Sequence, residues 1–122
     1  MEINSSCSMM PSLPKTGIDI VEVGRFRTLL RDKKPHALSR IFLTSEIAYC
    51  TSHKDPAPHF AGMFAAKEAV SKALGVTKYP FSEIEIRHTE EGAPSAYHKG
   101  RRLRVSISIS HTASIATAIA VG

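Results

Sequence analysis

FAGMFAAKEAVSKALG, residues 60–75, decides the fold of this chain. Ala61, Ala65, Ala66, Ala69 and Ala73 give the stretch a high helix propensity, and their small side chains let neighbouring backbones come close. The helix is predicted to begin upstream at Asp55-Pro56, an N-cap residue followed by proline at the first helical position. It should run to Leu74, with Gly75 as its C-cap. Glu68 and Lys72 lie four apart and so share one face. An exposed ion pair worth ~0.2–0.5 kcal/mol would explain that spacing. Phe64 lies on the same face, however, with Ala61 and Ala65 beside it, and a carboxylate among such neighbours needs a partner.

GIDIVEV, residues 17–23, supplies a candidate partner. Its β-branched residues predict a strand over Thr16–Glu22, and the near-continuous apolar run predicts burial on both faces. Asp19 sits inside that run, where a carboxylate is costly unless it is hydrogen-bonded or binds a cation. Residues 22–33 read as a helix, because Val23, Phe26, Leu29 and Leu30 form one stripe and Arg25, Arg27 and Arg31 lie mostly off it. Pro35 breaks it. A short helix or turn is expected over 36–42, and a second short helix after Thr44-Ser45, the expected cap.

After Pro80 the period changes to two. Phe81–His88 alternates, with Ile84 and Ile86 inward. Gly92-Ala93-Pro94 reads as a hairpin turn, Ser95–His98 as a weak strand, Leu103–Ser110 as a clean alternation and Ile115–Val121 as a last strand. One strand, then helices, then three or four antiparallel strands is an α+β pattern.

Composition sets the bounds. At 122 residues with 43% hydrophobic content, the expectation is one globular domain over residues 16–122, preceded by a flexible tail over residues 1–15. The N-terminal residues carry no secretory signal, and no apolar run is long enough for a membrane span. Two cysteines, Cys7 and Cys50, match no metal-ligand spacing and read as reduced thiols of a cytoplasmic protein. The net charge of +5 favours acidic partners: nucleic acid, phosphorylated small molecules or an acidic protein.

Two elements therefore carry one carboxylate each, Asp19 and Glu68. Brought together they repel unless a cation lies between them. Mg²⁺ suits such a pair, since it is commonly held by one or two carboxylates plus substrate phosphates. His111, at the end of the cleanest strand beside Ser108 and Ser110, would suit a phosphate contact. The other five histidines show no mutual spacing and read as surface residues.

Taken together, GIDIVEV (17–23), RIFLTSEIAYC (40–50), FAAKEAVSKALG (64–75), SEIEIRH (82–88), Gly92-x-Pro94 and VSISISHT (105–112) resemble the holo-acyl-carrier-protein synthase family of phosphopantetheinyl transferases. The resemblance covers residues 16–121. It implies the 4'-phosphopantetheinyl transferase fold, with helices packed on a mainly antiparallel sheet around one long central helix. It further implies transfer of the phosphopantetheine arm from coenzyme A to a serine of an apo acyl carrier protein, releasing adenosine 3',5'-bisphosphate. By similarity Asp19 and Glu68 would ligate Mg²⁺ along with the coenzyme A pyrophosphate, and Lys72 would contact the phosphates. His111 and the Gly92–Pro94 turn would lie near the adenosine 3'-phosphate, and Arg25 would dock the carrier. The family is typically a homotrimer with active sites between subunits. Three places depart from its pattern. Met63 replaces a usual arginine, the loop at 76–80 is short, and the last strand lacks an aromatic near Ile115.

Two other readings start from the same residues. A non-catalytic protein binding carrier or coenzyme A on the same fold would follow from Met63 and the short loop. A small nucleic-acid-binding domain would follow from Arg101, Arg102 and Arg104. Aromatic residues are only 7%, no nucleic-acid motif is present, and that reading leaves Asp19 and Glu68 unexplained.

Overall fold

The computed structural model describes residues 12–122. Most of the tail expected at 1–15, and Cys7 with it, lies outside the described residues. Lys15 is already structured, since its backbone exchanges hydrogen bonds with Gly122 at 2.7 and 2.8 Å. The chain then forms β1 (Thr16–Glu22), α1 (Gly24–Arg31), α2 (Pro35–Ile41), α3 (Thr44–Thr51) and α4 (Pro56–Leu74). A single 3-10 turn (Phe81–Glu83) leads into β2 (Ile84–His88), β3 (Pro94–His98), β4 (Arg101–Arg102), β5 (Ser106–His111) and β6 (Ile115–Val121). The α+β class and the long central helix are as expected, the latter between the predicted ends.

The strands form two antiparallel three-stranded sheets, ordered β1-β6-β5 and β2-β3-β4. In the first, Asp19 stands opposite Ala118 on β6. The inner face of that sheet carries Gly17, Val21, Ala116, Ala118 and Ala120, all buried against α4. These residues are small for a steric reason. A Cβ on Gly17 would lie 2.0 Å from the carbonyl oxygen of Ala69, so β1 approaches α4 backbone to backbone. Beyond α4, Phe26, Phe42, Phe60 and Phe64 pack with ring centroids 5.1–6.3 Å apart, the tilted and offset spacing that aromatic rings prefer.

Four expectations need correction. β1 is buried on one face only, with Ile18 and Ile20 being 63% and 68% exposed, because none of the described residues covers the outer face of its sheet. The alternation from Phe81 begins as a 3-10 turn, so β2 starts at Ile84. The alternation from Leu103 is split. Arg101 and Arg102 pair with β3, Leu103 donates to the Ala96 carbonyl at 2.8 Å, and β5 starts at Ser106. Finally, the cap of α3 is not a Thr44 or Ser45 hydroxyl. The Glu46 carboxylate reaches back to the Leu43 N–H at 2.9 Å, one half of a capping box.

Candidate active site

Asp19, Glu68 and Lys72 meet at the β1 edge of the first sheet. Period two puts Asp19 on the face that looks at α4, and the close approach allowed by Gly17 brings β1 within reach of the helix. Lys72 donates to Asp19 Oδ1 at 3.1 Å and to the Ile18 carbonyl at 3.0 Å. The lysine is thus pinned to the strand edge while remaining half exposed. Glu68, one turn earlier, accepts no hydrogen bond or ion pair from the described residues. Burial and then the Asp19 charge push its carboxyl above the usual range, while Lys72 and Arg25 pull the other way. An acid held in such surroundings favours a proton or a cation.

Arg25 lies beside this group, as its influence on Glu68 requires. Its guanidinium sits 4.9 Å from the centroid of the Phe64 ring, a cation–π arrangement that fixes an exposed side chain at the rim. Among the described residues no group of three or more His, Cys, Asp or Glu side chains is arranged to hold a metal. Two carboxylates fit a hard cation that completes its shell with phosphate oxygens and water.

The remaining predicted residues lie elsewhere. His111, Gly92 and Pro94 line a cavity of about 170 Å³ together with His59, Met63 and His88. Gly92 has φ +91°, a left-handed conformation that favours glycine. It donates to the Thr89 carbonyl at 2.9 Å, which closes the turn. His59 and Glu68 are nine residues apart, about two and a half turns of helix. The cavity and the carboxylates therefore flank α4 on opposite sides. A single chain brings Asp19, Glu68, Lys72 and Arg25 together, and His111 with the Gly92–Pro94 turn, but does not join the two groups.

Sequence reading missed two features. The first is a buried ion pair: Lys67 Nζ donates to Glu46 Oε1 at 2.6 Å and to the Ile41 carbonyl at 3.1 Å, with both side chains fully buried. Ile86 N–H donates to Glu46 Oε2 at 2.8 Å, so the pair ties α3, α4 and β2 together. A signal was available, since Lys67 falls on the helix face of Met63 and Val70, where a solvated lysine does not belong. The second is the histidine cluster. His53 stacks on His59 at 3.5 Å, Tyr49 on His88 at 3.8 Å, and His59 meets His111 edge-on at 5.3 Å. The expectation that His53, His59 and His88 are plain surface residues is therefore wrong. They come from separate elements, which spacing along the chain does not reveal.

The geometry agrees with what the chain is similar to. Residues 15–120 match the family described as the 4'-phosphopantetheinyl transferase superfamily. A holo-[acyl-carrier-protein] synthase of Caldanaerobacter subterraneus is 40% identical over 86% of this chain and 91% of its own. One from Clostridium perfringens is 42% identical over 86% and 90%. Among solved structures, Helicobacter pylori holo-[acyl-carrier-protein] synthase in complex with coenzyme A superposes with a TM-score of 0.73 at 34% identity, covering 88% of this chain and 99% of that one. The Bacillus anthracis synthase in complex with CoA (3',5'-ADP) gives 0.72 at 33%, covering 88% and 93%. The arrangement of β1 against α4 and the relatedness along nearly the whole described chain lead to one conclusion: this chain belongs to the holo-acyl-carrier-protein synthase family of the 4'-phosphopantetheinyl transferase superfamily.

Proposed function

We propose that this protein is a holo-acyl-carrier-protein synthase, which moves the 4'-phosphopantetheine arm of coenzyme A to a serine hydroxyl of an apo acyl carrier protein. One observation carries the reading: a half-buried Glu68, without a partner among the described residues, facing Asp19 with Lys72 pinned beside them. In the reaction the serine oxygen bonds to the phosphorus of the pantetheine phosphate. The pyrophosphate P–O bond breaks, and adenosine 3',5'-bisphosphate leaves. The seryl proton goes to a base, either Glu68 or a water beside it.

The Ile18 carbonyl and Asp19 hold Lys72 in place, and its ammonium would meet the phosphates there. Preorganised charge of this kind costs no reorganisation when negative charge shifts to the leaving group. Asp19 and Glu68 would hold Mg²⁺ or Mn²⁺, which when bound neutralises the pyrophosphate. Arg25 stands at the rim with Arg27 and Arg31 on the same exposed helix, where an acidic carrier would dock. That encounter should slow as salt rises.

The assembly is proposed to be a homotrimer. Two features support it. The carboxylates and the histidine cavity flank α4 on opposite sides, so a second copy is needed to bring both to one coenzyme A. The outer face of the first sheet also leaves Ile18, Ile20 and Ile119 exposed. No helix among the described residues is long and apolar enough to cross a membrane, and a cytoplasmic location is proposed. Met63, fully buried against Cys50, brings no charge to the cavity, which favours non-catalytic binding of the same ligands as the second reading.

The intact mass of an apo acyl carrier protein, after incubation with this protein, coenzyme A and Mg²⁺, separates the two. A gain of one phosphopantetheine arm, lost with chelator, is expected. An unchanged mass with several carriers, from folded protein that binds coenzyme A, would leave the second reading in place.

A further inference from the structure

The excess positive charge of the chain is gathered at one end of the molecule. Lys15, Lys78, Arg101, Arg102 and Arg104 line an open groove of about 560 Å³ between the C-terminal end of α4 and the second sheet, and no carboxylate lines it. All five residues are exposed. Without them the 16 Lys and Arg of the chain fall to 11 and match its 11 Asp and Glu. The ion pairs of the described residues engage Arg27, Arg31, Lys67, Lys72, Arg87 and His98, and none of the five. The C-terminal end of α4 offers only about half a negative charge, too little to balance five cations.

The groove adjoins the candidate active site. Lys15, whose backbone pairs with Gly122 and extends β1, lies four residues before Asp19, about 13 Å along the strand. Period two puts it on the face of Gly17 and Asp19, towards α4. Leu74, also in the lining, is two residues past Lys72. The groove therefore opens on the α4 side of the first sheet, not on the outer face that carries Ile18, Ile20 and Ile119. At the opposite end of the site stands α1, whose arginines are less available than their number suggests. Arg27 is engaged twice by Asp55, at 2.9 and 3.0 Å, and Arg31 by Asp32 at 3.2 Å. On that helix only Arg25 has no carboxylate partner among the described residues.

A small protein domain is about 30 Å across, wide enough to rest on Arg25 and on the groove at once. A nucleic-acid strand fits less well, because its bases need an open aromatic face. Tyr79, the one Phe, Tyr or Trp in the lining, is partly buried, with Lys78 over its ring at 5.5 Å and His98 edge-on at 4.9 Å. We propose that this groove is a second docking surface for the acidic carrier protein, and that its five cations, more than α1, set how fast and how tightly the carrier associates. The proposal rests on the carrier reading of the site and adds where the acidic surface of the carrier lies.

Steady-state kinetics of the full chain, with coenzyme A and an apo acyl carrier protein, test it. In the double variant Arg101→Glu with Arg102→Glu, the KM for the carrier should rise about tenfold or more. The kcat at saturating carrier and the KM for coenzyme A should stay as in the parent. The fall of kcat/KM with rising salt should become shallower, because less charge is left to screen. Lys15→Glu with Lys78→Glu, drawn from two other segments, should do the same and serves if the first variant does not fold. A carrier KM and salt dependence unchanged in the folded variants overturns the proposal alone. So does a loss confined to kcat or to the KM for coenzyme A. A gel shift of short single-stranded DNA at physiological salt, abolished by variants that leave the carrier KM unmoved, overturns it in favour of a nucleic-acid surface. No transfer by the parent to any carrier overturns the carrier reading and this proposal together.

Discussion

Lys67 and Glu68 are neighbours on one helix, and their fates differ completely. Lys67 is fully buried, and its ammonium is satisfied by Glu46 and a backbone carbonyl. Glu68 is half buried, accepts nothing from the described residues and faces a second carboxylate. A buried charge whose hydrogen bonds are complete belongs to the scaffold. A partly desolvated charge left incomplete marks the proposed site, because a ligand would finish it. Helix geometry enforces the difference: one residue of advance turns a side chain by about 100°, from the phenylalanine core towards the strand edge.

The largest expected effect comes from removing the incomplete pair. Asp19→Ala and Glu68→Ala should each lower transfer by on the order of 10³-fold, the scale for losing a preorganised electrostatic group, with far-ultraviolet circular dichroism unchanged. Full activity in both variants would break the comparison outright. On the scaffold side, Lys67→Met leaves Glu46 charged and buried, and should cost about 3–5 kcal/mol in urea unfolding. Combining it with Glu46→Gln should recover much of that loss, since an apolar or neutral replacement of a whole buried pair is often tolerated. A single variant as stable as the parent would make the pair dispensable.

Gly17→Ala attacks the spacing rather than the charges. The added carbon collides with the Ala69 carbonyl, so β1 must move from α4 and carry Asp19 with it. A loss of about 1–3 kcal/mol is expected, the usual range for overpacking, together with a fall in transfer larger than the fall in stability explains. Unchanged kinetics would show that the approach of β1 does not position Asp19.

The smallest effect concerns Glu68 alone, without divalent cation. Its carboxyl holds a proton more tightly in the folded state than in the unfolded chain. Ionisation therefore costs stability, a penalty that sets in as pH rises from about 4.3 through the raised native value and persists above it. Glu68→Gln should melt slightly above the parent near pH 7 and level with it near pH 3.5. A lower melting point near pH 7 would show that Glu68 is satisfied after all.

Much of this was legible beforehand, for identifiable reasons. α4 announces itself through alanine content, Asp55-Pro56 and Gly75, all local signals. β6 and β1 read as strands because their β-branched runs are short and bounded. Asp19 and Glu68 stood out as acids in apolar surroundings. What stayed hidden depends on tertiary neighbours. Glu46 and Lys67 find each other across three elements. The histidines at 53, 59, 88 and 111 converge only once the β2–β3 hairpin folds against α4. The exposure of Ile18 and Ile20 follows from which face of β1 is covered, and a buried strand and a half-covered one share the same residues.

The pairing of β1 with β6 also has a consequence for how the protein is made. Thr16 pairs with Val121, so the first strand has no partner until the last has left the ribosome. Contacts this far apart in sequence close slowly. During synthesis β1 therefore waits as an unpaired edge carrying Ile18, Ile20 and Val21, the kind of segment that invites misassociation. Asp19 reaches its place only in the final step. A nascent chain stalled before Ile115 would hold the helices and the β2–β3 hairpin, but would lack the register that places Asp19 opposite Glu68.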